Sequence, residues 1–265
     1  MKNSGVLCDI TKCIGCGSCT VACKLWNDLD YTKGNAHGFD TKLSEETWTT
    51  VQYYETKNPK GQDVLRFAKH QCMHCIDPSC VSVCFADAIT VNEDGAVVYN
   101  AKKCVGCRYC MIACPYDVPK YEWDKTFPSV IKCQLCSEKL AEGSSPSCTM
   151  ACPTGALTYG DRDELLAKAK GIIAKDSSYI NSVYGETQGG GTRWLYISDV
   201  PFKDLGFKEH IPTTSIPERI HEYSKWKPGI FIGGAVFFGA LGLYTKRRVK
   251  RAEEEAKEDG GDDNV

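Results

Sequence analysis

Residues 13–23 read CIGCGSCTVAC, which places four cysteines in eleven positions with the spacing C-x2-C-x2-C-x3-C. Residues 104–114, CVGCRYCMIAC, repeat this spacing. Residues 72–84 and 133–152 repeat it with the middle gap widened to four and to eleven residues. Each run opens with C-x2-C and closes with x3-C, so the chain carries four related quartets of thiols that call for one common explanation.

The quartets, numbered one to four along the chain, use 16 of the 17 cysteines. A proline follows the last cysteine of quartets three and four, and the pattern is that of bacterial ferredoxin runs that bind [4Fe–4S] clusters. A loop with cysteines three apart supplies three thiolates to one cluster. The fourth comes from a partner quartet, because the chain has by then turned into a helix.

Three other uses of closely spaced cysteines fit less well. Cysteines three apart rarely meet disulfide geometry, and disulfide scaffolds of this density are usually short secreted chains. Zinc also binds thiolates, but a zinc site does not explain the x3-C-P ending. Covalent haem attachment requires a histidine directly after C-x2-C, and none of these runs has one.

Composition narrows the class of protein further. The 265 residues carry a net charge of −2 and no basic patch interleaved with aromatic residues, so nucleic acid is not an expected partner. The N-terminal stretch MKNSGVLCDITKC has no long apolar run and no twin arginine, so no export signal is expected in it. Cys8, in the strand-like run VLCDI, is predicted to be a buried small hydrophobe, and His74 a packing or hydrogen-bonding residue.

Several stretches resemble the four-cluster iron–sulfur subunits of complex oxidoreductases, most closely the β subunit of membrane-bound formate dehydrogenases. These are CIGCGSCTVACKLWND, LSEETWT, CMHCIDPSCVSVC, CVGCRYCMIACPY, SPSCTMACPTGAL and VYGETQGGGTRWLY. KLWND, LSEETWT and a C-terminal apolar segment favour formate dehydrogenase. Hydrogenase-linked and other molybdoenzyme-linked relatives share much of the rest.

The resemblance implies four [4Fe–4S] clusters with nested pairing, in which quartets one and four exchange their last cysteines, as do quartets two and three. One implied ligand set is Cys13, Cys16, Cys19 and Cys152. The other three implied sets are Cys23, Cys133, Cys136 and Cys148; Cys72, Cys75, Cys80 and Cys114; and Cys84, Cys104, Cys107 and Cys110. Phe85 stands where the family commonly has proline, so a slightly different turn is expected after Cys84.

The resemblance also implies a conductor with no catalytic residue of its own. Electrons would pass from a molybdenum or tungsten bis-pterin subunit that oxidises formate to a membrane cytochrome b or quinone-binding subunit. The same relay in a hydrogenase or another molybdoenzyme reductase is the alternative. Cations beside the ligand loops are candidate tuners of cluster potential or plain surface charges, and these are Lys24, Lys103, Arg108 and Lys132.

The predicted fold is α+β, with two intertwined ferredoxin-like bicluster modules and one C-terminal transmembrane helix. Residues 1–160 form the four-cluster domain, with an inner module at about 70–115 nested in the outer one, and residues 161–225 form an extension packed on it. Residues 226–246 form the span and residues 247–265 a charged cytoplasmic tail, and the acidic run AEEEAKEDGGDDNV at residues 252–265 is predicted to be disordered.

Local patterns predict individual elements. Short strands are expected in GVLCDI, AITVN and AVVYN, and short helices after the third cysteine of each quartet. The run TWTTVQYYET alternates like a strand, and QGGGTRWLYISDV reads as a glycine turn before a strand rather than a phosphate loop. Residues 161–175 read as an amphipathic helix capped by Asp161, predicted to pack on its own core rather than on a partner.

Residues 228–245, PGIFIGGAVFFGALGLYT, carry no charge and reach about 27 Å as a helix, enough to cross the hydrocarbon core of a membrane. The alternative is a buried core helix. Five cations follow in KRRVKR, against Lys225 and Lys227 before the segment, so the C-terminus is predicted to be cytoplasmic and the cluster domain periplasmic, with lipid around the span. Co-export with a catalytic partner that carries a twin-arginine signal is the expected route.

Overall fold

The computed structural model describes residues 3–31 and 35–259, side chains excepted from residue 256 onward. The strands in these ranges are β1 Ser4–Asp9, β2 His37–Gly38, β3 Thr50–Lys57, β4 Asp63–His70, β5 Ile89–Val91, β6 Val97–Tyr99, β7 Lys120–Tyr121, β8 Val130–Ile131, β9 Leu157–Asp161 and β10 Trp194–Ile197. The helices are α1 Ser18–Trp26, α2 Ser79–Ser82, α3 Tyr109–Ala113, α4 Ser137–Ala141, α5 Ser147–Met150, α6 Arg162–Lys175, α7 Ile216–Lys225 and α8 Lys227–Asp259.

A three-stranded sheet joins the two ends of the cysteine-rich region. Its central strand is β1, which pairs in parallel with β10 and antiparallel with β9, so the strand order is β10-β1-β9. Every residue of β1 and β10 is buried, as expected for a strand with both faces covered. The predicted strand in GVLCDI is confirmed, and Cys8 is buried within it.

Helix α6 covers one face of this sheet. The Asp161 side chain accepts hydrogen bonds from the backbone N–H groups of Asp163 and Glu164, which is the predicted N-cap. Leu165 and Ala169 are buried in a cluster with residues of β1 and β10. The helix therefore packs on its own core, as predicted.

Strands β3 and β4 form a long hairpin between quartets one and two. They pair antiparallel from Thr50 with His70 to Lys57 with Asp63, and β2 adds a short parallel edge. The strand predicted in TWTTVQYYET, residues 47–56, is confirmed, and it begins three residues later and ends one residue later than that run. Because side chains alternate across a strand, the residues of one hairpin face point together toward the cysteine loops.

The inner quartets are separated by small elements. Strands β5 and β6, predicted in AITVN and AVVYN, pair antiparallel in a hairpin, and β7 and β8 form a two-residue ribbon. Their buried cluster combines aliphatic side chains with cysteines, and its buried members are Cys80, Ile89, Val97, Cys110 and Val130.

The glycine-rich run forms a turn that leads into β10, as predicted. Residues 188–190 form a 3-10 turn, and positive φ angles at Gly189, Gly190 and Gly191 carry the chain into the strand. The run contacts protein on several sides, including Ser215 and the backbone of Glu186.

The described chain divides into two compact units, one ending at Pro217 and the other beginning at Glu218. The boundaries predicted at 160/161 and 225/226 stay predictions. In the second unit, α8 contains one segment long and apolar enough to cross a membrane, and none of it is buried within the protein. This exposure is not that of a core helix, so α8 is a candidate membrane span.

The predicted disorder of residues 252–265 is wrong for residues 252–259, the part of that run that the structure describes. Helix α8 continues to Asp259 without a break. Alanine, glutamate, lysine and arginine all favour helix, and a Lys250–Glu254 pair at 3.6 Å adds an i, i+4 contact. Helix propensity thus outweighs the low apolar content. Residues 260–265 lie outside the described residues.

Candidate iron–sulfur centres

The same turn opens all four cysteine loops. The second residue after the first cysteine has a positive φ in each quartet, at Gly15, His74, Gly106 and Leu135. This turn points backbone N–H groups at the sulfur: Gly106 donates to Cys104 Sγ and Leu135 to Cys133 Sγ, both at 3.4 Å. Such hydrogen bonds stabilise a thiolate and are one of the levers on cluster potential.

A short helix carries the third cysteine of each quartet. Helices α1, α2, α3 and α5 each begin one residue before that cysteine, so the predicted helices are present but start slightly earlier than expected. A sharp turn follows the last cysteine, where the third residue after it has a positive φ and donates to the cysteine carbonyl. This holds at Asp87, Asp117 and Gly155.

The different turn expected after Cys84 is not observed. Asp87 N–H donates to Cys84 O at 3.0 Å, matching the bonds after Cys114 and Cys152. Phe85 supplies the N–H that proline lacks and donates it to Val83 O at 3.1 Å, while its ring is exposed. The turn is fixed by the backbone around it and does not require proline.

Two small cavities lie between quartets one and four. The first is lined by three cysteines of the quartet-one loop, Cys13, Cys16 and Cys19, with Cys152 from quartet four and with Cys8. The second is lined by Cys23 from quartet one and by three cysteines of quartet four, namely Cys133, Cys136 and Cys148. The contact between α1 and α5 brings these distant segments together.

The inner quartets show the same exchange. A third cavity is lined by Cys84 from quartet two and by three cysteines of quartet three, Cys104, Cys107 and Cys110. Around Cys75 the interacting thiols are Cys72, Cys80 and Cys114. In every group, three thiols come from one loop and one from the partner quartet. A larger surface groove, lined by residues such as Glu55, Val64 and Pro201, is lined by no cysteine.

The donor atoms of each group bear on which kind of metal centre the group could hold. Among the described residues, no three His, Cys, Asp or Glu side chains are close enough to share one metal ion. A zinc ion holds sulfur ligands at about 2.3 Å and would need them much closer together than a cubane does. The donor set, four soft thiolates in each group, suits iron–sulfur chemistry.

Burial governs the titration of these thiols. Burial raises the pKa of Cys13 to about 11; the Gly15 N–H opposes this rise, and the nearby Cys19 and Cys152 thiolates add to it. Burial likewise raises the pKa of Cys148 to about 12, although Lys69 lowers it. Ligand thiols that are protonated in the metal-free protein would release protons when a cluster binds.

The environments of Cys8 and His74 are as predicted. Cys8 is buried, and burial raises the pKa of its thiol well above the usual value. His74 is fully buried, and its Nδ1 atom accepts a hydrogen bond from Val97 N–H at 3.0 Å. Burial lowers the pKa of His74, which keeps the ring neutral.

The four candidate tuning cations lie in different environments. Lys24 and Lys132 are buried rather than on the surface, and their Nζ atoms donate to the carbonyl oxygens of Asp30 at 2.7 Å and Cys133 at 3.1 Å. Lys103 is exposed and forms an ion pair at 3.1 Å. Arg108 is exposed and lies over two aromatic rings.

Sequence reasoning missed a fifth cation, Lys69. It is buried on β4 and lines both cavities between quartets one and four. The available signal was strand alternation: Phe67, two residues earlier on the same face, is the side chain nearest to Gly15 in the quartet-one loop. Burial would lower the pKa of Lys69, but Cys19, Cys148, Cys23 and Cys133 together raise it.

Comparison with known proteins finds iron–sulfur domains over the cysteine-rich part of the chain. A family model described as a 4Fe-4S dicluster domain matches residues 12–88, and a second one with the same description matches residues 64–162. A protein of Nitratidesulfovibrio vulgaris is 41% identical over 262 residues, covering 96% of this chain and 70% of its own length. The chain belongs to the family of ferredoxin-type iron–sulfur subunits.

Two other relatives of this iron–sulfur subunit have informative names. The hydrogenase-2 operon protein HybA of Escherichia coli O157:H7 is 34% identical over 298 residues, covering 98% of this chain and 88% of its own length. The formate dehydrogenase-O iron–sulfur subunit of Escherichia coli K12 is 35% identical over 262 residues, covering 94% and 85%. The subunit is thus an electron-transfer component of formate dehydrogenase or hydrogenase-type complexes, and the predicted two-module α+β fold is confirmed.

Proposed function

We propose that this subunit relays electrons through four [4Fe–4S] clusters, each held by three cysteines of one loop and one of the partner quartet. The outer pair uses quartets one and four, and the inner pair uses quartets two and three, in the sets implied by the resemblance. The observation that carries the proposal is the grouping of thiols around the cavities, where Cys152 joins the quartet-one loop and Cys84 joins the quartet-three loop.

The role of the protein is to hold the cluster ligands in position and to shield the clusters from water. When bound, each cluster supplies reversible one-electron redox chemistry. The loop N–H groups hold the thiolates in position, as at Gly106 and Leu135. Burial of Cys23, Cys110 and Cys148 keeps water away from the ligand sulfurs. No residue of the chain is assigned a catalytic role.

Two serine variants test the exchange. Cys152→Ser should damage the cluster of the quartet-one loop and spare that of the quartet-four loop. Cys136→Ser should do the reverse. Each is measured by iron content and by electron paramagnetic resonance of the reduced, full-length protein. If Cys152→Ser instead removed the signal lost in Cys136→Ser, the exchange would be wrong.

Cys8→Ser is the matched control. Cys8 lines the same cavity as Cys152 but belongs to no quartet. Its replacement should leave all four cluster signals in place, because serine removes a thiol that no cluster uses. A cluster lost in this variant would mean that the ligand set of the first cavity has been assigned incorrectly.

Formate is the proposed source of electrons, delivered by a molybdenum or tungsten bis-pterin catalytic subunit. The proposed acceptor is a membrane cytochrome b or quinone-reactive subunit. Hydrogen oxidation is the second candidate, because the likeness to HybA covers slightly more of the chain than the likeness to the formate dehydrogenase subunit. Purifying the complex and assaying formate- and hydrogen-dependent dye reduction would decide between them.

The candidate span is proposed to be a single membrane anchor with its C-terminus in the cytoplasm. Five cations follow the apolar segment and two precede it closely, which matches the positive-inside bias. The cluster-bearing unit would then face the periplasm after co-export with the catalytic subunit. Added protease should digest that unit in spheroplasts, and full protection would contradict the orientation.

A further inference from the structure

Lys69 is an unusual residue for its location. Its side chain is 2% exposed, and it lines the cavity of the quartet-one loop as well as that of the quartet-four loop. A buried ammonium group is costly unless opposite charge surrounds it. The charge available to Lys69 is that of the cysteine thiolates on both sides, among them Cys19 and Cys148.

The other neighbours of Lys69 orient the ammonium group without neutralising it. Its Nζ atom donates a hydrogen bond to Thr49 Oγ1, the oxygen of an uncharged hydroxyl group. It also lies 5.4 Å from the centre of the Trp194 ring, which is fully buried in β10. Strand pairing with Val51 fixes the backbone beneath it. The positive charge is therefore held in one place between the two cavities.

We propose that Lys69 is a positioning residue whose fixed positive charge raises the reduction potentials of both outer clusters together. The inference rests on the proposed ligand sets. Reduction adds one electron to a cluster that is already anionic in its thiolate cage, and a nearby cation stabilises the added charge. Because one side chain borders both cavities, a single residue would shift the reduction potentials of two clusters in the same direction.

The test is a redox titration of the full-length, cluster-loaded Lys69→Gln variant, followed by electron paramagnetic resonance. The Cys152→Ser and Cys136→Ser variants assign the two outer signals. At a fixed ambient potential, the ratio of reduced to oxidised cluster should fall about tenfold for both outer clusters, which is about 59 mV for a one-electron couple. The inner clusters should keep their potentials and serve as an internal reference.

Two further variants separate charge from structure. Lys69→Arg keeps the charge and should keep the outer potentials near those of the wild type. Lys57→Gln removes an exposed charge from β3 of the same hairpin and should change nothing. Outer potentials that stay unchanged in fully loaded Lys69→Gln would overturn the proposal, as would an equal shift of all four clusters.

Cluster loading is measured in every sample. If Lys69→Gln fails to load, loading of Lys69→Arg with normal potentials supports a requirement for charge. Failure of both variants would show that the shape of the lysine side chain matters instead, and would overturn the proposal. Wild-type protein without cluster signals would contradict the proposed function rather than this inference, so the two failures are distinguishable.

Discussion

The outer and inner regions of the molecule hold similar loops on very different supports. The outer region, defined as β1, β9, β10 and α6 together with the helices α1, α4 and α5 of quartets one and four, has a core in which Trp194, Leu195 and Ile197 are completely buried. The inner region, defined as β5 to β8 with α2 and α3, has strands of two or three residues. Two of the five buried residues in its cluster are themselves cysteines of the quartets.

The difference indicates what each region needs in order to fold. Two-stranded ribbons are marginally stable by themselves, whereas a three-stranded sheet packed against a helix is stable in its own right. Apolar burial contributes about 25 cal/mol per Å², so the outer core stabilises the fold with or without metal. The inner region buries little besides its thiol-bearing loops, and we infer that its clusters are part of its core.

Iron removal should produce the largest contrast. Chelation of iron under anaerobic conditions should unfold the inner region while the outer sheet persists, because ligand cysteines make up a much larger share of the inner buried cluster than of the outer one. Hydrogen exchange followed by mass spectrometry measures this. Amides of β5 and β6 should lose nearly all protection, and those of β1 and β10 should keep most of theirs.

Reconstitution with iron and sulfide is the control for this experiment, and it should restore protection in β5 and β6. Equal loss of protection in both regions would mean that the outer core is no more independent than the inner one. Retention in both would mean that the short strands fold without their clusters, and our account of the inner region would be wrong.

A pair of glycine substitutions compares equivalent loop positions. Gly15 and Gly106 both have left-handed φ angles, near +70°, so alanine costs about 1–2 kcal/mol of unfolding free energy at either. At Gly15 the new Cβ would also lie 2.5 Å from the Phe67 ring, against 3.0 Å from the Tyr121 hydroxyl at Gly106. Gly15→Ala should therefore lose about 1–3 kcal/mol more from overpacking.

The denaturant midpoint for bleaching of the visible cluster absorbance measures both glycine variants. Gly143→Ala is the matched control, because Gly143 has a φ of +76° and nothing within 4 Å of an added Cβ. It should show the backbone cost alone. If Gly15→Ala lowered the midpoint no further than Gly143→Ala, the Phe67 ring would be able to move aside, and the predicted overpacking would be wrong.

Much of the fold could be predicted because the cysteine spacing is typical of loops that bind [4Fe–4S] clusters. The spacing predicted the loops and the helices that carry the third cysteines, and periodicity predicted β1, β3 and α6. The left-handed turns at His74 and Leu135 could not be predicted from residue type, since glycine is the usual signal for such a turn. At these two positions the geometry of the cysteine loop outweighs the residue's own preference for a negative φ angle.

Long-range placement accounts for the other omissions. Lys69 is three residues from a quartet in sequence, yet it borders cysteines of quartets one and four because the β3–β4 hairpin folds over them. Strand alternation places Lys69 on the same face as Phe67, but which face of the hairpin is buried depends on how the chain folds over the cysteine loops. The exchange of cysteines between quartets also depends on long-range placement. The spacing implies that the fourth thiol of a cluster comes from another quartet, and only the family resemblance indicated which quartet supplies it.

Two exposed cation–aromatic contacts give the smallest test of the regional contrast. In the inner region Arg108 lies 5.1 Å from the centre of the Trp123 ring and 5.7 Å from that of Tyr121. In the outer region Lys139 lies 4.4 Å from the centre of the Trp26 ring. Each contact contributes about 0.5–1 kcal/mol. We expect Arg108→Gln and Lys139→Gln to reduce protection from hydrogen exchange in different elements of the fold.

In Arg108→Gln, exchange at β7 and β8 should rise about two- to fivefold, because the contact is a large share of what holds that ribbon. In Lys139→Gln the effect should be confined to α4, because the outer sheet does not depend on this contact. Arg108→Lys keeps a cation over the rings and should restore most of the protection. A wider loss of protection from Lys139→Gln than from Arg108→Gln would reverse the comparison, since the outer region would then be the one that depends on surface contacts.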